Sequence, residues 1–272
     1  MKKRNSLMAA VFSVMFLCVS GTAMAGNIDI KGSTTVLPIA QKAAEAYMKG
    51  NPNAKITVSG GGSGNGIKAI IDGTTDIGNA SRFIKDKEAQ LAMEKGVYPV
   101  PFRVALDCIV PIVSPKNKIT NLTSAQLKDI YTGKITNWKE VGGEDKEIVV
   151  VSRDTSSGTF EAWKEMVMKD EKVVQSALTV PSSGAIVQTI AKTDTAIAYV
   201  GFGYLTKEVK ALSVNGISGS IETTLSGAYP ICRPLFMFTK GWPEGETLDF
   251  INFVTSKKGQ ELVKEAGFIP MY

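Results

Sequence analysis

The segment Arg153-Asp154-Thr155-Ser156-Ser157-Gly158-Thr159 follows a predicted strand and opens a predicted helix, and three other Gly/Ser/Thr-rich segments sit at the same kind of junction. They are Gly32-Ser33-Thr34-Thr35, the run Gly60-Gly61-Gly62-Ser63-Gly64-Asn65-Gly66, and Asn79-Ala80-Ser81-Arg82. A helix start presents unpaired backbone N–H groups and the positive end of the helix dipole, to which hydroxyls and arginine add donors. Four such junctions turned toward one cleft form a cage for a small oxyanion. Taken singly, each is accounted for by a strand-to-helix turn with a Ser or Thr cap. The glycine run is the hardest to account for that way, because ordering so many glycines costs backbone entropy. A ligand that approaches the main chain closely supplies a reason for them.

The familiar nucleotide loops are absent. A P-loop ends in Gly-Lys-Ser/Thr, whereas this run continues Gly66-Ile67-Lys68, and its spacing does not give G-x-G-x-x-G. The chain contains no histidine, which excludes a Ser–His–Asp triad, a His–Cys pair and histidine metal ligation. Neither a G-x-S-x-G elbow nor a Ser-x-x-Lys signature supports a hydrolase. Arg153 has two readings, a surface residue paired with Asp154 or a planar fork of donors for an oxyanion, held in place by a carboxylate. Arg82 carries the same two readings. Trp138, in a helix-to-loop turn, reads as packing.

The elements that must hold these segments alternate. Strand Ile28–Lys31 precedes a helix with apolar Val36, Ile39, Ala43, Ala46 and Tyr47, which stops at Gly50-Asn51-Pro52. Strand Ile56–Val58, the glycine run and a helix Ile67–Ile71 repeat the order, which is the grammar of a parallel α/β sheet. A third strand and loop over Thr75–Ser81 and a long strand over Val104–Val113 follow. Thr123-Ser124-Ala125-Gln126 is a capping box opening a helix with Leu127, Ile130 and Tyr131 on one face. A second set comprises strand Ile148–Val151, helix Phe160–Met168, strand Ala196–Val200, strand Leu235–Phe238 and a last helix around Leu248, Ile251, Phe253 and Val254. The sequence thus predicts two α/β lobes joined by extended crossovers near Leu106–Pro111 and Tyr229–Leu235.

Residues 1–25 read as a secretory signal, with basic Met1-Lys2-Lys3-Arg4, an apolar run from Leu7 to Val19, and Ala23-Met24-Ala25 before cleavage. The run falls short of a membrane span, and bulky Leu17 argues against lipidation at Cys18. Removing the signal lowers the formal charge from +5 to +2, so nothing points to nucleic acid. The two remaining cysteines, Cys108 and Cys232, are too few for a disulfide scaffold, although export permits a single bridge.

Gly32-Ser33-Thr34-Thr35-Val36-Leu37-Pro38, the Gly60–Gly66 run, Ala105-Leu106-Asp107, the stretch Tyr131–Trp138, the Arg153–Thr159 segment and Ala198-Tyr199-Val200-Gly201 occur in the order seen in phosphate-binding proteins of bacterial phosphate ABC importers. The chain resembles that family over nearly all of its mature length. The resemblance implies an α/β, two-lobed periplasmic-binding-protein fold of type II with two crossover strands at the hinge. The expected division is a first lobe from 26–107, a second from 108–232, and a return to the first over 233–272. It implies a periplasmic, non-enzymatic protein that closes over inorganic phosphate and delivers it to the permease and ATPase subunits of an ABC importer, with no cofactor and no metal. The implied phosphate ligands are Ser33, Thr34 and Thr35; Ser63; Ser81 and Arg82; and Arg153, Ser157, Gly158 and Thr159.

Two positions depart from the family pattern. Many relatives carry Ser-Asp where this chain has Ser81-Arg82, and commonly an acidic residue where it has Thr155. The missing acceptor leaves another oxyanion (sulfate, molybdate or tungstate) as an alternative ligand; a non-transport role, as a sensory subunit or an adhesive surface protein, is a separate alternative. The fold class also places Cys108 and Cys232 side by side on the crossover strands.

Overall fold

The computed structural model describes residues 26–272; the signal expected over 1–25 lies outside the described residues. The chain begins with β1 (Asn27–Gly32), α1 (Leu37–Gly50), β2 (Lys55–Ser59), α2 (Ser63–Ile71), β3 (Ile77–Ala80) and α3 (Asp86–Glu94). It then runs through β4 (Val100–Val113), β5 (Asn121–Leu122), α4 (Ser124–Thr132), β6 (Val149–Arg153), α5 (Gly158–Met166), β7 (Leu178–Val180) and α6 (Ser183–Lys192). The remainder is β8 (Ala196–Gly201), β9 (Lys210–Ala211), β10 (Ser213–Val214), α7 (Ile221–Leu225), β11 (Cys232–Thr239), α8 (Gly245–Thr255) and α9 (Lys257–Glu265).

One sheet passes through both lobes in the order β2-β1-β3-β11-β4-β8-β6-β7, with β9 beside β4. β1, β2 and β3 are parallel, as are β6, β7 and β8, and the antiparallel strands β4 and β11 join the two sets. β4 makes the join because it is long: its Val100–Cys108 part pairs with β11, and Ile109–Val113 pairs with β8. At about 3.3 Å per residue its 14 residues span both lobes. From Cys108 to Val113 every residue is buried, as expected of a strand covered on both faces.

Each lobe has its own apolar clusters. Ile28, Ile30, Ile39, Ala43 and Tyr47 meet Phe250, Ile251 and Val254 on one face of the first lobe's sheet. Ile67, Ile70, Phe236 and Phe238 fill the other. In the second lobe Ile109, Leu127, Ile130, Tyr131, Trp138, Trp163 and Tyr199 form the larger cluster, and Val151, Ile186, Ile190 and Val200 the smaller. The Trp163 and Tyr199 rings stack at 4.4 Å and 9°, an arrangement that contributes about 0.5–1.5 kcal/mol beyond its buried area. Trp138 is packing, its indole N–H donating to the Thr195 carbonyl at 2.8 Å.

The last helical stretch is two helices, α8 and α9, divided at Ser256, whose hydroxyl caps α9 by accepting from Gly259 N. Cys108 and Cys232 are directly opposed across β4 and β11, both as thiols. Burial pushes the Cys108 thiol up to about 12.

Candidate functional site

Four helices of eight residues or more begin in the space between the lobes: α1 and α2 from the first, α5 and α6 from the second. The first two lack a side-chain cap, their N-cap positions being Val36 and Gly62. Gly62 has φ +99°, and a Cβ there would press on the Ser156 carbonyl oxygen at 2.7 Å, so the main chains of the two lobes approach as only glycine permits. α5 and α6 are capped by Ser157 and Ser182 through Phe160 N and Ala185 N.

Hydroxyls line the floor between these ends. Thr34 Oγ1 lies 3.2 Å from Ser183 Oγ and accepts from Ser183 N at 3.2 Å. Thr35 Oγ1 and Thr159 Oγ1 share a hydrogen bond of 2.9 Å. Ser63 Oγ accepts from Ser81 N at 2.9 Å and lies 3.2 Å from Ser81 Oγ. Gly158 lies directly over this serine pair, since a Cβ there would stand 2.7 Å from Ser81 Oγ. Ser33 Oγ accepts from Thr35 N at 3.2 Å and turns the chain into α1. All of these residues are buried.

Arg153 is 3 % exposed. Its Nε donates to Val180 O at 3.1 Å, Nη2 to Pro181 O at 3.0 Å and Nη1 to Ser183 Oγ at 3.3 Å. Its main chain is held by the Tyr199 hydroxyl, which accepts from Arg153 N at 3.4 Å and bonds Ser152 Oγ at 2.9 Å. No carboxylate pairs with the guanidinium among the described residues. Asp154, the neighbour expected to do so, accepts instead from Ser156 N at 2.9 Å and from the Ser156 hydroxyl. Burial lowers the Arg153 pKa, but an arginine keeps its proton in proteins, so a desolvated cation remains. Such a charge costs several kcal/mol unless an anion or a set of dipoles offsets it.

A second buried arginine stands nearby. Arg233 on β11 faces Asp107 on β4, with Nε and Nη2 at 3.2 and 2.9 Å from Asp107 Oδ2. Asp107 Oδ1 accepts from Phe202 N at 2.9 Å. Burial pushes the Asp107 carboxyl above its ordinary range, and the Arg233 guanidinium and the Phe202 N–H pull against that. Two guanidinium charges against one carboxylate leave the site with a net positive charge.

The site thus gathers Ser33, Thr34, Thr35, Ser63, Ser81, Arg153, Ser157, Gly158 and Thr159. Arg82 is placed differently. Its Nη1 and Nη2 fork onto Glu88 at 2.8 and 2.7 Å, and Nη1 also donates to Phe83 O at 2.9 Å, while Nε is buried without a partner among the described residues. The Ser81-Arg82 segment also fails to open a helix directly, because α3 begins only at Asp86. The fourth helix start is α6. Ser183, Asp107 and Arg233 were missed as site residues, although Ser182-Ser183-Gly184 after Val180-Pro181 repeats the strand-to-helix composition, and an arginine inside an apolar strand is itself a signal.

A family model for the PBP superfamily domain matches residues 19–258. The phosphate-binding protein PstS of Bacillus subtilis is 35% identical over 90% of this chain and 81% of its own length. That of Borreliella burgdorferi is 34% identical over 89% of each. A solved chain from Clostridium perfringens, described as a phosphate ABC transporter substrate-binding protein with bound phosphate, superposes with a TM-score of 0.86 at 36% identity. It covers 91% of this chain and all of that one.

Proposed function

The chain belongs to the PstS family of phosphate-binding proteins, and we propose that it binds inorganic phosphate between its two lobes and hands it to an ABC permease and its ATPase at the membrane. The observation that carries this reading is the buried Arg153 guanidinium, paired with no carboxylate among the described residues, where four helix N-termini and a floor of hydroxyls converge from both lobes. Charged hydrogen bonds contribute roughly 1.5–3 kcal/mol each, and many must converge to offset desolvation of a dianion. The proposed ligands are Thr34 and Thr35 with Ser33 beside them, Ser63, Ser81, Arg153, Ser157, Gly158 and Thr159, joined by Ser183. Arg82 orients the loop through Glu88 and contributes little to the anion.

The lobes in this reading are 26–107 with 233–272, and 108–232, a division supported by apolar clusters that part at Asp107 and Arg233. The protein is an exported binding protein and not an enzyme, its signal removed after Ala25; Cys108 and Cys232, opposed across β4 and β11 as thiols, are a pair that an oxidising compartment could bridge. Titration calorimetry of the mature protein, stripped of anion, tests the reading: one tight phosphate site is expected. Heat with sulfate or molybdate but none with phosphate refutes it.

A further inference from the structure

Arg233 holds more partners than neutralising Asp107 requires. Its Nη2, already bonded to Asp107, lies 3.0 Å from Thr159 Oγ1 and 3.4 Å from Thr35 Oγ1. Those hydroxyls belong to α5 of the second lobe and to the turn that opens α1 of the first. A single guanidinium nitrogen on the hinge strand therefore touches one residue from each jaw, and it can do so only while the jaws are together. Nη1 of the same group is shut off from solvent and has no hydrogen-bond partner among the described residues. A buried donor left unmade costs about 1–3 kcal/mol unless something accepts from it.

Arg153 and Arg233 also differ in what fixes them. The first is held by two carbonyl oxygens and Ser183 of the second lobe alone. The second is fixed on Asp107 by two bonds, and Asp107 in turn by Phe202 N. The hinge pair thus forms a rigid mount that aims a cation at the meeting point of Thr35 and Thr159.

We propose that Arg233 is a second arginine of the anion site: mounted on Asp107, it donates through Nη1 to the bound anion and through Nη2 to Thr35 and Thr159, so that anion binding and lobe closure draw on the same group. The proposal rests on the phosphate reading above. A purely structural role would limit Arg233 to cancelling the charge of Asp107, and the two roles separate when both charges are removed together.

The test is calorimetry with inorganic phosphate on wild type, Arg233→Lys, and the charge-neutral double variant Arg233→Met/Asp107→Leu, each checked for cooperative unfolding, with small-angle scattering at saturating phosphate. The double variant is expected to bind phosphate about tenfold or more weakly, the loss of one charged hydrogen bond, and to contract less than wild type. Arg233→Lys, which keeps the charge but loses the fork, is expected to weaken binding by a similar factor with its unfolding midpoint retained, and it decides the matter if the double variant does not fold. Phosphate affinity within twofold of wild type in either folded variant overturns the assignment of Arg233 while leaving the phosphate reading intact. A wild type that gives no heat with phosphate overturns both.

Discussion

Gly158→Ala tests closure by adding one methyl group at the meeting of the lobes. Gly158 is the first residue of α5, and a Cβ there would face the first lobe, standing 2.7 Å from Ser81 Oγ and 2.9 Å from Ser63 Cβ. The serine hydroxyls can rotate away, at the loss of their mutual bond, but Ser63 Cβ cannot. Ordinary contact begins near 3.4 Å, so the jaws must part by about 0.5 Å. That stretches the 3.2 Å contact between Thr34 and Ser183 beyond hydrogen-bond range. An anion gripped from both sides would lose about two charged hydrogen bonds, roughly 3–6 kcal/mol or a factor of about 10² to 10⁴ in affinity. Alanine in place of glycine at a helix start stabilises the unliganded protein by at most about 1 kcal/mol. Calorimetry with phosphate should therefore show the loss while the unfolding midpoint without phosphate stays level or rises. Affinity within about threefold of wild type, with the same contraction in scattering, would refute the steric argument.

Arg153→Ala should weaken phosphate binding by about 10- to 100-fold, with Arg153→Lys failing to restore it because an ammonium does not reproduce the fork; calorimetry on both decides. Arg82→Ala should change phosphate affinity by less than about threefold, and should lower stability by stranding Glu88. Glu88 is partly buried, which raises its pKa, yet hydrogen bonds from Arg82 and Lys85 N hold it below the ordinary value. Its contribution is present above the unfolded-state value of 4.5 and lost as pH falls through the folded-state value, so wild-type and Arg82→Ala unfolding free energies should converge on acidification. A constant gap between them across that range would remove the pair from the account. Cys108, raised to about 12, should resist alkylation in the native protein at pH 8 and take a label once unfolded; rapid native labelling would contradict its burial.

The alternation of strand, Gly/Ser/Thr loop and apolar helix was legible because its period and punctuation are local. So was the long strand Val104–Val113, whose apolar residues, interrupted only at Asp107, suit a strand covered on both faces. The Arg233–Asp107 pair was not legible, since its partners are 126 positions apart and only the register of β4 and β11 brings them together. The Arg82–Glu88 fork was not legible for a related reason. Glu88 reads in the sequence as an ordinary first-turn carboxylate of α3, and its acceptance from both Lys85 N and the Arg82 fork depends on the bend between Ser81 and Asp86. Asp154 followed the same pattern in reverse, drawn by its neighbour Ser156 into a turn that sequence proximity to Arg153 did not suggest.

What joins the jaws is polar. Thr34 meets Ser183, Thr35 meets Thr159, Gly64 N donates to Ser156 O at 2.9 Å, and Lys85 pairs with Glu161 at 2.9 Å on the rim. Apolar crossings are small and lie toward the hinge, where Tyr204 rests against the first lobe's core and the Phe268 ring lies on Gly203. Neutral hydrogen bonds of this kind contribute only about 0.5–1.5 kcal/mol each once exchange with water is counted, and the exposed ion pair still less. A closed state built from them is near balance with an open one, which a large apolar seam would forbid. The Arg153 guanidinium, by contrast, pairs with no carboxylate among the described residues and is buried when the jaws meet, a cost that an entering anion offsets. An anion that binds the closed form more strongly than the open one therefore shifts the balance by its differential affinity alone. Because these hydroxyls bond one another only across the closed cleft, opening exposes them to water, which takes up their hydrogen bonds and leaves no buried group unpaired, the condition for a site that must both hold its cargo and surrender it.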